Sequence, residues 1–144
     1  MRLAAAAFLA ATLALPAAAQ DIRAPSAPNA RVYFVNLKNG DTVTSPFLVQ
    51  FGLSGMGVSP ADQQPIPTNA MTGHHHLLVN MPLTGLESAI LPMTDNIRHF
   101  GRGQTEAQIT LPPGQHTLQL VLADWRHVPH NPPVVSDVIT ITVR

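Results

Sequence analysis

The side chains of this 144-residue sequence best equipped for chemistry are its seven histidines, set against no cysteine, one Trp and one Tyr. Six of them fall in three places. His74, His75 and His76 head the run HHHLLVN, His99 precedes Gly101-Arg102-Gly103, and His127 and His130 share the Pro-rich stretch 125–133. Neutral imidazole is a strong ligand for Zn, Cu and Ni. In a strand, alternate side chains share a face, so His74 and His76 are expected on one side and His75 on the other. Two imidazoles one residue apart form a bidentate set. Further ligands are expected from His127 and His130, with His99 and His75 as additional candidates. Asp124, which opens the 125–133 segment, is expected first to make an Asx-type turn. Its second candidate role is to steady a ligating imidazole through that ring's other nitrogen. His116 shares the parity of Leu118, Leu120 and Leu122, and reads as an edge-of-core histidine rather than a ligand.

Thioethers favour Cu(I), and Met56 and Met71 precede the His triplet while Met81 and Met93 follow it. On that basis copper is expected ahead of zinc. Zinc held by three imidazoles and a water is the rival, and methionine often serves only as core filler. The sequence has no G-x-S-x-G elbow and no phosphate-loop pattern. The expected activity is therefore metal sequestration or delivery, not enzymatic turnover. The alternative is a metal-free interaction or structural module whose histidines order its loops.

Elements must position these residues, and composition bounds what they are. Only 11% of residues are charged while 45% are hydrophobic, which argues for a packed core and against disorder. Eight basic and eight acidic side chains give a net charge of zero, without the basic footprint of a nucleic-acid or anionic-membrane binder. The lack of cysteine excludes disulfides and thiolate ligands. Residues 1–19, MRLAAAAFLAATLALPAAA, have a basic start, an apolar stretch, a helix-breaking Pro16 and a small-residue triplet. That layout predicts a signal peptide cleaved after Ala19, and hence a periplasmic or secreted protein free of the membrane. Its expected partners are a metal ion and a periplasmic protein.

After a leader over residues 20–30, expected to be flexible, residues 31–144 show period-two patterns. Strands are expected near 31–36, 47–53, 74–80, 104–111, 115–124 and 134–143, with turns such as Asn39-Gly40 and Pro112-Pro113-Gly114 between them. One helical turn is expected near Leu86. Together these predict an all-β fold, an immunoglobulin-like antiparallel β-sandwich of about seven strands.

Several runs also carry a family likeness: Val32-Tyr33-Phe34-Val35, Thr72-Gly73-His74-His75-His76-Leu77-Leu78-Val79, His99-Phe100-Gly101-Arg102-Gly103-Gln104 and His127-Val128-Pro129-His130-Asn131-Pro132-Pro133. In these the chain resembles the exported bacterial DUF4399 family over roughly residues 31–144. The resemblance implies export and an immunoglobulin-like β fold. It brings no catalytic residues with it.

Overall fold

Strands dominate because β-branched and leucine residues alternate with polar ones between proline and glycine breaks. The computed structural model describes residues 21–63 and 71–144, so the expected signal peptide lies outside the described residues. Ten strands are formed: β1 (Arg31–Phe34), β2 (Thr42–Val43), β3 (Phe47–Ser54), β4 (Gly57–Val58), β5 (Thr72–Val79), β6 (Ile97–His99), β7 (Glu106–Ile109), β8 (Gly114–Ala123), β9 (Pro129–Val135) and β10 (Ile139–Val143). There is no helix among the described residues, and so none long and apolar enough to cross a membrane. The extra strands beyond seven are mostly two- or three-residue pieces, too short to show a period.

One sheet has the order β1-β3-β7, and the other β2-β10-β8-β5-β4, with β6 on β5 and β9 on β8. Pairing is antiparallel except for two short parallel contacts, β2 with β10 and β4 with β5. The two sheets enclose the main core. Val49, Phe51 and Ile109 of the smaller sheet meet Leu77, Leu118, Leu120, Leu122 and Ile141 of the larger. Leu77 and Leu120 stand opposite each other in the β5–β8 register, both 0% exposed. Burial of each contributes about 1.5–3 kcal/mol as an upper estimate.

The larger sheet is covered on its outer face as well. Leu78, Ile97 and Val121 pack there with Leu83 and Leu91 from the 80–96 connection. Every residue of β5 from Gly73 to Val79 is consequently buried. That connection holds turns at Leu83–Leu86 and Leu86–Ala89 in place of the expected helical turn.

Two segments differ from expectation. Residues 129–133, expected between strands, join Val134 and Val135 in strand β9, which is separate from β10; its prolines sit where a ladder N–H is dispensable, and a register shift at Leu122/Ala123 lets it join β8. Residues 21–26 run beside it: Asn131 N–H donates to Ala24 O at 2.9 Å, and Ser26 N–H to Asn131 O at 3.2 Å. This backbone pairing ties down a leader whose composition alone suggests flexibility.

Candidate metal centre

The β5 parity separates its three histidines. His75 points between the sheets, with its ring centroid 5.2 Å from that of Phe51. His74 and His76 point to the outer face beside Leu78. In the register, His76 faces His99 of β6 on one side and Val121 on the other, and His74 stands opposite Ala123. Directly paired residues share a sheet face, so β6 delivers His99 to the same patch. His127 arrives from the β8–β9 turn, where it holds φ +66°. Its N–H donates to Asp124 O at 2.8 Å and its carbonyl accepts from Leu91 N–H at 2.8 Å. Left-handed backbone is uncommon outside glycine and clusters at functional sites.

Each of His74, His76, His99 and His127 offers a ring nitrogen lying within 4.8 Å of those of the other three. This group could hold a metal ion. His74 and His76 are fully buried, while His99 and His127 are partly exposed and form the rim. The closest contact is His74 Nε2 to His127 Nδ1 at 3.3 Å. His74 Nδ1, both nitrogens of His76 and His99 Nε2 are buried without a hydrogen-bond partner. Buried polar atoms are rarely left so.

Electrostatics keep the floor in the ligand form. Burial, then the His99 and His127 rings, lowers the His74 pKa to about 3. Burial, then the His74, His99 and His127 rings, lowers that of His76 to about 2. His99 is also lowered, by burial first and His127 second. Neutral imidazole is the form that accepts a metal. Glycine makes room for the set: a Cβ on Gly101 would stand 2.2 Å from His99 Cε1 and 2.4 Å from its Nε2.

The remaining sequence candidates lie elsewhere. His130 is buried in β9 away from the group, its Nδ1 3.3 Å from Leu122 O and its Nε2 3.2 Å from Thr72 O. It fills the space over Gly73, where a Cβ would come within 2.9 Å of its Cε1. His75 is turned into the core. Asp124 touches no imidazole. Its carboxylate accepts from Arg126 N–H at 2.8 Å and Val128 N–H at 3.1 Å and pairs with the Arg126 guanidinium at 2.7 Å, so it shapes the turn that carries His127. The carboxylate beside a ring is Asp62, with Oδ1 3.4 Å from His127 Nε2. Nothing periodic marks Asp62 in the sequence. Among the methionines, Met56 packs on the main core and Met81 on the outer-face cluster, while Met71 and Met93 are exposed.

No curated protein and no solved structure matches the chain. A family described as "Domain of unknown function (DUF4399)" matches residues 49–144, which include all four clustered histidines. The chain belongs to that family.

Proposed function

We propose that this protein binds one divalent transition-metal ion through His74, His76, His99 and His127, and holds it for sequestration or delivery outside the cytoplasm. The observation that carries this reading is four ring nitrogens within 4.8 Å, several of them buried and unpartnered. A tetrahedron with metal–nitrogen bonds of roughly 2.0–2.1 Å has edges of about 3.3 Å. The His74–His127 contact already has that length, and small ring rotations bring in the others. Four protein ligands fill the tetrahedral shell, which suits holding a metal rather than turning over substrate at an open position.

Copper is the proposed ion and zinc its rival. The support is an all-imidazole donor set, for which Cu(II) heads the affinity order of the divalent first-row metals. The proposed donor set is histidine alone, so thioether preference for Cu(I) adds no support to it. Export rests on the N-terminal sequence alone, and the mass of the protein recovered from the periplasm tests cleavage after Ala19.

The decisive experiment titrates purified, untagged protein with Cu(II) and with Zn(II) and measures stoichiometry. One ion per chain, lost in the His74→Ala variant, supports the reading. An unchanged absence of binding across micromolar metal favours the metal-free module, in which the His74–His127 ring contact simply orders the turn.

A further inference from the structure

The mouth of this site has a construction of its own. Ser59–Asp62 is hydrogen-bonded in turn to backbone one or two residues from His74, His99 and His127. Ser59 N–H donates to Gly73 O at 2.8 Å, beside His74. Ala61 N–H donates to Gly101 O at 2.8 Å, two residues beyond His99. Asp62 N–H donates to Trp125 O at 3.0 Å, two residues before His127. Asp62 itself holds φ +61°. Its side chain is 84% exposed, yet its Oδ1 lies 3.4 Å from Nε2 of His127, a side chain only 19% exposed. One carboxylate thus joins bulk solvent to the rim of a site whose other two ligands are fully buried. The neighbouring carboxylate, Asp124, is 1% exposed and paired with Arg126, so it is not free to meet an incoming ion.

We infer that Asp62 is the capture residue of this site: a hydrated divalent cation first meets its carboxylate, then passes to His127 and the buried floor of His74 and His76. The inference rests on the metal-binding reading above. A net charge near zero gives little overall attraction for cations, so a carboxylate placed at the mouth is the local source of attraction. A fixed charge at a cleft raises the on-rate of an oppositely charged ligand, and salt screens the effect. Asp62 is also a positioning residue for His127, accepting from the ring nitrogen that faces away from His74.

Stopped-flow mixing of the full chain with Cu(II) or Zn(II) over a range of salt concentrations tests this. Asp62→Asn keeps an oxygen that can accept from His127 but removes the charge. It is expected to slow association about tenfold, to flatten the salt dependence, and to leave the one-to-one stoichiometry and dissociation rate unchanged. Asp62→Glu is expected to restore both rate and salt dependence. Asp137→Asn, at an exposed carboxylate on the β9–β10 turn, is expected to behave as wild type. Wild-type rate and salt dependence in Asp62→Asn overturn the capture role while leaving metal binding intact. A faster dissociation with an unaltered association rate reduces Asp62 to positioning alone, which also overturns capture. Absence of binding by the wild-type chain overturns both readings.

Discussion

Two sets of histidines in this molecule are similarly buried and differently partnered. His116 and His130 are 8% and 1% exposed; His116 has Asn80 Nδ2 and Pro112 O each at 2.9 Å from a ring nitrogen, and His130 lies between two backbone carbonyls, to one of which its neutral ring donates. His74 and His76 are 0% exposed, and three of their four ring nitrogens have no partner, the fourth having only another imidazole. The first set joins strands and turns. The second is a buried polar patch that the fold leaves unsatisfied, with neighbours of the same kind. Burial alone therefore does not distinguish the two sets; what their nitrogens face does.

The largest effect expected from this contrast comes from removing the floor. His74→Ala/His76→Ala should bind no stoichiometric metal at micromolar concentration, as read by titration and by elemental analysis of the desalted protein. His116→Ala should bind metal as wild type. It should nevertheless lose about 1–3 kcal/mol of stability in urea, because Asn80 and the Pro112 carbonyl lose their partner. A reversal of these two outcomes would dissolve the distinction between the sets.

The second test uses pH on the metal-free protein. Unfolded histidine titrates near its ordinary value of 6.5, whereas folding holds His74 at about 3 and His76 at about 2. Above 6.5 both states are neutral and stability is flat in this respect. As pH falls below 6.5, the unfolded chain takes up protons that the fold refuses, so stability falls at about 1.4 kcal/mol per pH unit per imidazole. By pH 5 this amounts to about 2 kcal/mol for each of the two residues. Urea melts at several pH values measure the slope, and His74→Leu/His76→Leu should reduce it to the part left by His75 and His99. A slope unchanged in that variant would assign the pH dependence to other groups.

Parts of this contrast are legible in the sequence, for definite reasons. The strict alternation of strands places His74 and His76 together and His75 apart, and places His116 at the edge of the core. His99 was readable as a candidate but not as the direct cross-strand partner of His76, because β6 is three residues long and carries no period. His130, expected beside His127 because both lie in one Pro-rich stretch, is not part of the histidine group. The register shift at Leu122/Ala123 instead draws residues 129–135 into the sheet and turns that ring toward Thr72. The site lies on the outer face of the larger sheet, continuous with the smaller apolar cluster. Asp62 and the turn geometry of His127 depend on hydrogen bonds between residues far apart in the chain, which no local pattern encodes.

A smaller effect comes from the glycine beside His99. Gly101→Ala forces its methyl against that ring, so His99 must rotate from its place. Metal affinity should fall about 10–100-fold, the range typical of disturbing the support of a ligand, with little change in melting temperature. Gly52→Ala meets an equally close ring, with Tyr33 Cε2 2.2 Å from the added Cβ. Tyr33 is 47% exposed and free to swing outward, and its sheet carries no ligand. That variant should leave metal affinity unaltered, and titration of the two side by side separates local support from general disturbance of the fold.

The smallest effect is expected at His75, flanked in sequence by two members of the group yet facing the opposite way. Its ring is 0% exposed and packs on Phe51, with neither nitrogen in a well-formed hydrogen bond. Burial lowers its pKa, weakly opposed by the Gln104 backbone. A buried polar group without partners costs stability, and an apolar group of similar shape relieves that cost. The lost aromatic contact with Phe51 offsets part of the gain. His75→Leu should therefore equal wild type in stability or exceed it by up to about 1 kcal/mol, and bind metal with wild-type stoichiometry and affinity. A loss of metal in this variant would mean that the inward face of β5 takes part in coordination. A loss of more than about 2 kcal/mol would mean that His75 has a polar partner in solution, because only a ring with satisfied nitrogens is that costly to replace by leucine.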